Sequence, residues 1–239
     1  PVARELLSAA DCPVAAPSAN RSGEPSPTTV EMARTSLGDA VEHYLDGGRC
    51  EVGLESTVAS VIGHEVVILR PGAVGLEDIR DVLPATYVRY AADSEDEITS
   101  HSPGTRHRHY QPRAKVVLCD PEGLRNGDLA ALVANGLRGQ RTERGVDLWG
   151  VLGMERDVEE VEKRLAVIDQ TRLTVLSRRA GSVPEYARGL YRWFAELDSA
   201  GAALILVIPP AAEGGMGHAL VDRLTRASGG TWIGADPNA

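Results

Sequence analysis

Cysteine is scarce: Cys12, Cys50 and Cys119 are the three in 239 residues. An odd, widely scattered set fits neither a disulfide framework nor the close ligand spacing of a zinc site. They read as reduced, mostly buried thiols. Positive charge is also in deficit, with 25 Lys and Arg against 34 Asp and Glu, a net charge of -9. Binding nucleic acid over a broad face requires many neutralised phosphates, so this balance excludes that class and leaves only a weak, local RNA contact. No run reaches the roughly 18 apolar residues of a membrane span, and Pro1-Val2-Ala3-Arg4-Glu5 lacks the basic-then-apolar order of a signal peptide. The expected location is the cytoplasm, with no membrane partner. What the chain does have is apolar content, 43% of its residues, enough over this length for two domains with a core each.

The richest local signals are loops. Ala16-Pro17-Ser18-Ala19-Asn20-Arg21-Ser22-Gly23-Glu24-Pro25-Ser26-Pro27-Thr28 comes first, then Gly53-Leu54-Glu55-Ser56-Thr57-Val58, then Leu69-Arg70-Pro71-Gly72. Hydroxyl, amide and backbone N–H donors crowd where Pro and Gly stop helices and strands, an arrangement suited to the oxyanions of phosphate and carboxylate. Each residue also has a structural reading. Ser18 and Asn20 satisfy a turn, Ser56 and Thr57 start a strand, Arg70 ends one, and Thr28 with Glu31 has capping-box spacing.

Around these loops the pattern predicts a helix from Val2 to Ala10, a short buried strand from Val14 to Ala16 and a helix from Thr28 to Leu37. Strands are predicted at Val41–Leu45, Thr57–Ile62 and Val66–Leu69, the last two joined by a hairpin turn at Gly63-His64, and a helix at Leu76–Leu83. Apolar content then falls and acids gather at Asp93, Glu95, Asp96 and Glu97. Ser102-Pro103-Gly104 and Gln111-Pro112 bracket the basic, aromatic Arg106-His107-Arg108-His109-Tyr110. This segment reads as a linker, either a solvated tether or a lid that folds over an anionic ligand with Tyr110 inward. No carboxylate or thiol is spaced to join His107 and His109 around a metal.

From Ala114 onward strand and helix patterns alternate: Val116–Cys119, Gly127–Leu137, Val146–Leu152, Val158–Ala166, Leu173–Leu176, Val183–Ala200, Ala203–Ile208 and Gly217–Ala227. Such alternation predicts a parallel sheet covered by helices on both faces. The turn Gly214-Gly215-Met216-Gly217 lacks the dinucleotide fingerprint order and reads as a connection without a cofactor. The fold class is therefore α/β, divided at residues 1–93, a linker at 94–113, and a Rossmann-like parallel-sheet domain at 114–239.

The three loop blocks, in this order and spacing, resemble the threonylcarbamoyl-AMP synthases of the YrdC-like family. The linker and Tyr191–Ala227 resemble the long form that carries an extra C-terminal domain. On that resemblance residues 1–93 are the C-terminal part of a YrdC-like twisted-sheet catalytic domain. The implied reaction joins L-threonine, bicarbonate or carbon dioxide, and ATP into threonylcarbamoyl-AMP and pyrophosphate, with magnesium on the triphosphate. A downstream transferase complex then modifies tRNA to threonylcarbamoyladenosine.

A carbamate attacking the α-phosphorus needs positioning and positive charge rather than a side-chain nucleophile, so no catalytic residue and no metal ligand is assigned. The resemblance places Ser18, Ser26, Arg70 and Tyr110 on ATP, Ala16 and Ser56 on threonine, and Asn20 and Thr57 as residues that orient their loops. The family's N-terminal portion, with its basic ATP-gripping motif, has no counterpart here. On that ground the 239 residues are expected to be a fragment or a remnant without synthase activity of their own. The competing readings are a non-catalytic RNA-binding or regulatory module, and part of a larger carbamoyltransferase.

Overall fold

A computed structural model describes residues 2–91, 112–120, 147–166 and 173–233. Residues 94–111 of the predicted 94–113 linker, with Tyr110, and the predicted helix at 127–137 lie outside these residues. Chain order is α1 (Val2–Ala10), α2 (Val30–Leu37), β1 (Val58–Ile62), β2 (Glu65–Arg70), α3 (Leu76–Val82) and β3 (Tyr87–Tyr90). Then come β4 (Lys115–Cys119), β5 (Asp147–Met154), α4 (Glu155–Leu165), β6 (Leu173–Ala180), α5 (Val183–Ser199), β7 (Leu204–Val207), α6 (Gly214–Ser228) and β8 (Trp232–Ile233).

Two sheets result. The first has three strands in the order β1-β2-β3, with β1 antiparallel and β3 parallel to β2. Its core is small, the buried residues Val66, Ile68, Val88 and Tyr90 backed by Leu76 and Ile79 of α3. The second sheet is parallel throughout, in the order β6-β5-β7-β4-β8. Strand side chains alternate between faces, and both faces are covered here. Val116, Leu118, Ile205 and Val207 pack with Tyr186, Leu190, Phe194, Leu197, Leu220 and Leu224 of α5 and α6. Val117, Cys119, Leu204 and Leu206 face the other way, toward Val158, Val161 and Leu165 of α4. Strands buried on both sides read as continuous apolar runs, and the mixed α/β class with its helix-covered parallel sheet is what the alternating pattern predicted.

Three local expectations are corrected. Val14–Ala16 and Val41–Leu45 are not strands, and Val14, Val41 and Leu45 are exposed. A strand needs a neighbour for its backbone hydrogen bonds, and the described first sheet pairs only β1, β2 and β3. The cap of α2 is Thr29, extended at φ -140° and accepting from the Met32 amide at 3.3 Å, rather than Thr28. Thr28 is buried instead, its hydroxyl turned to the Met32 sulfur. Finally, Cys12 and Cys50 are exposed, and only Cys119 is buried.

No helix among the described residues is long and apolar enough to cross a membrane.

Candidate functional site

Arg70 ends β2 opposite Val58, and the register of β1 slips between Val58 and Ala59. A bulge there bends the strand and re-aims the residues beside it. Arg70 consequently reaches the preceding loop: its Nε donates to the Ser56 carbonyl at 3.1 Å, and Nη2 to Ser56 Oγ at 3.4 Å. Thr57 Oγ1 donates to the Val74 carbonyl at 2.7 Å. Gly72 lies so close that a Cβ on it would meet the Thr57 nitrogen at 2.2 Å. Two sequence blocks thus form one turn. In it Ser56 is exposed, its hydroxyl accepts from a guanidinium, and that hydroxyl's own hydrogen remains to be donated. A planar cation beside a hydroxyl suits a carboxylate or a phosphate.

The same loop is anchored on its other side by the parallel-sheet half. Gly53 has φ +81°, and a Cβ there would fall 2.4 Å from the Arg188 Cα of α5, so only glycine fits the conformation and the approach. Arg188 Nε donates to the Glu51 carbonyl at 2.8 Å, and Leu54 packs against the core under α5 and α6. Glu55 Oε2 accepts from Tyr191 OH and from Arg223 Nε, both at 3.0 Å. Arg223 is fully buried, and its Nη1 donates to Asp222 at 2.7 Å. Burial alone would lower its pKa; Tyr191, Glu55 and Asp222 carry it above the ordinary arginine value.

The first loop lies elsewhere. Ser18 and Asn20 line a cavity of about 560 Å³ with Val30, Ala33 and Leu37 of α2 and with His43 and Tyr44; neither Ser56 nor Arg70 lines it. Ala16 is exposed on the same loop. Asn20 Nδ2 donates to the Arg21 and Glu24 carbonyls at 2.9 and 3.0 Å, closing the 20–24 turn, while its Oδ1 is buried without a partner. Ser26 is half-buried, between Pro25 and Pro27. Those prolines line a separate cleft of about 650 Å³, together with Glu31 and Thr35 of α2 and Arg192 of α5. The two regions are tied through the backbone, where the Cys50 amide donates to the Thr28 carbonyl at 3.0 Å. Tyr110 lies outside the described residues. Among the described residues no group of three or more His, Cys, Asp or Glu is placed to hold a metal ion.

The glycine turn before α6 has a packing explanation. A Cβ on Gly215 would lie 2.4 Å from the Gly75 nitrogen and 2.7 Å from the Ala73 carbonyl oxygen. Sequence reasoning missed Glu55, Tyr191 and Arg223. One signal was available: Arg223 sits three residues after Leu220 and four before Ala227, a cation on the apolar stripe of its helix.

A family model described as "Threonylcarbamoyl-AMP synthase, C-terminal domain" matches residues 74–229. This chain belongs to the threonylcarbamoyl-AMP synthase family. The Sua5/YciO/YrdC model, described as telomere recombination, matches residues 1–72. The threonylcarbamoyl-AMP synthase of Pyrococcus abyssi is 32% identical over 230 residues, covering 95% of this chain and 61% of the relative. That of Bacillus subtilis is 31% identical over 235 residues, covering 98% and 62%. The crystal structure of P. abyssi Sua5 complexed with L-threonine superposes with a TM-score of 0.70 at 29% identity, covering 98% of this chain and 63% of that one. The chain therefore spans about three fifths of the length of these synthases, and the long-form resemblance holds along nearly all of it.

Proposed function

We propose that this protein is an L-threonylcarbamoyladenylate synthase, a nucleotidyltransferase that converts L-threonine, bicarbonate or carbon dioxide, and ATP into threonylcarbamoyl-AMP and pyrophosphate. The observation that carries the reading is the meeting of Arg70 with Ser56 in a turn whose close-packed glycines leave it little freedom. Its support is the family match on both sides of that turn and the L-threonine named in the P. abyssi complex.

In this reading Ser56 Oγ and the backbone near Ala16 hold threonine, and Arg70 offsets charge building on the phosphates. Ser18, Ser26 and Tyr110 contact ATP, while Asn20 and Thr57 fix their loops. The chemistry needs a carbamate aligned behind the α-phosphorus in a site that already bears positive charge. Among the described residues the donor set is hydroxyls, amides and a guanidinium, with no carboxylate cage, so magnesium would enter on the triphosphate, whose oxygens ligate it.

The product is consumed by a downstream complex that modifies tRNA. We place the protein in the cytoplasm, where its exposed thiols Cys12 and Cys50 stay reduced. The matches cover 95–98% of these residues and 61–62% of each relative, and whether the 239 residues act alone is what the assay decides.

The test is pyrophosphate release with mass detection of threonylcarbamoyl-AMP, using ATP, bicarbonate and L-threonine, with L-valine as control. Formation of the adduct with threonine alone supports the proposal, and Arg70→Ala should lower kcat/KM about a hundredfold or more, the usual cost of removing such a donor. Threonine-independent release, or an unaffected Arg70→Ala, overturns it.

A further inference from the structure

The Gly53–Thr57 loop is a seam. Gly53, Leu54 and Glu55 contact α5 and α6 of the parallel-sheet half, whereas Ser56 and Thr57 contact Arg70 at the end of the small sheet's β2 and Gly72 and Val74 in the loop after it. The last residue on one side, Glu55, is the neighbour of the serine whose hydroxyl is presented to substrate.

Its carboxylate is 16% exposed and meets an arginine that is 0% exposed, with the Tyr191 hydroxyl as a second donor. On the far side Asp222 takes Arg223 Nη1 and also accepts from Arg226 Nε at 2.9 Å. A chain of charges therefore runs from the surface of α6 to the carboxylate of the loop. Removing ions from water offsets most of their mutual attraction, so an apolar pair of similar volume would hold the seam together as well or better. What an apolar pair lacks is direction. Two donors converging on Oε2 fix where the Glu55 side chain points, and through it the φ and ψ of the residue before Ser56.

We propose that Glu55, clamped by Arg223 and Tyr191, is a positioning residue that makes the parallel-sheet half the mount of the Ser56 hydroxyl, so that this half of the protein sets threonine affinity. This rests on the synthase reading above. It gives the second sheet a part in the reaction although none of its residues is assigned to substrate.

The test uses two variants. Glu55→Leu/Arg223→Met replaces the buried pair by apolar groups, and Glu55→Gln keeps the shape while removing the charge. The double variant should unfold cooperatively, near the wild-type temperature. Its threonine KM should rise about tenfold or more while ATP KM stays within about twofold, since small misplacements of a binding group are costly. Glu55→Gln should move threonine KM in the same direction by less.

Amide hydrogen exchange on the same chains reads position without activity. Exchange at Ser56 and Thr57 should accelerate about tenfold, while β2 is unchanged. A folded variant of either kind with unaltered threonine KM and unaltered exchange at Ser56 and Thr57 overturns the inference. If the wild type forms no adduct with threonine, the synthase reading has failed, and exchange alone decides the mount: faster exchange supports it, unchanged exchange ends it.

Discussion

Cys119 lies on the face of β4 that packs toward α4, and burial, aided by the Asp120 carboxylate, pushes its thiol from an ordinary 9.0 up to about 12. Only the thiolate attacks electrophiles. A maleimide at pH 8 should therefore modify Cys12 and Cys50 within minutes and Cys119 only after denaturation, as peptide mass mapping would show; rapid labelling of Cys119 would contradict its burial. The same shift fixes a sign. The folded state retains the Cys119 proton more tightly than the unfolded one, so this thiol's contribution is whole below about 9 and is lost as pH rises toward about 12. Stability should fall over that range, and less steeply in Cys119→Ala. Residue-level burial was poorly legible in the sequence here. The cysteines read as mostly buried, yet Cys12 and Cys50 are exposed and only Cys119, at the end of an apolar run, is buried.

Glu196 shows how one carboxylate joins a helix to a strand. It accepts from Arg178 of β6 and from Arg192 one turn earlier in α5, both at 2.7 Å. Partial burial raises its pKa, but the hydrogen bonds and charge of Arg178 and Arg192 outweigh that and hold it below the ordinary carboxylate value. A lowered acid stabilises the fold above its unfolded pKa, and that contribution disappears as pH falls through the folded value. Glu196→Gln should cost about 1 kcal/mol at pH 7, the scale of a partly exposed pair. The gap between variant and wild type should close below about pH 4, as urea titrations at the two pH values would measure; a pH-independent gap would assign the loss to packing instead.

At this scale the sequence was most legible where burial is two-sided. The runs in β4, β5 and β7, and the stripes of α5 and α6, predicted themselves. Val14–Ala16 and Val41–Leu45 misled because Val14, Val41 and Leu45 are exposed, and strand propensity without a pairing neighbour makes no strand. The Ser56–Arg70 turn was visible as two loop signatures. Glu55 and Arg223 stand 168 residues apart, and no local pattern links such a pair.

Considered whole, the molecule joins a small core to a large one. Among the described residues the first sheet buries just Val66, Val67, Ile68, Val88 and Tyr90, too few to sustain an independent three-stranded unit. Its stability must come from the seam with the parallel-sheet half. There Gly75 and Gly215 approach backbone to backbone, Tyr90 stacks on His218 at 4.6 Å, and Glu55 reaches Arg223. A methyl at residue 215 would overlap the Gly75 nitrogen and the Ala73 carbonyl, so Gly215→Ala must separate the two halves or displace the start of α6. Overpacking of this kind costs roughly 1–3 kcal/mol.

The loss should fall unevenly. All three tryptophans, Trp149, Trp193 and Trp232, belong to the second half, so their fluorescence follows that half alone. In the parent protein the amides of β2 should become exchangeable at the same denaturant concentration at which tryptophan fluorescence changes, because the small sheet opens only when its support does. In Gly215→Ala the β2 amides should open first, by a margin matching the lost seam energy, with the fluorescence midpoint moving little. Coincident transitions in the variant would mean that the coupling does not depend on the glycine contact, and that the Tyr90–His218 stack and the Glu55–Arg223 pair suffice to hold the small sheet.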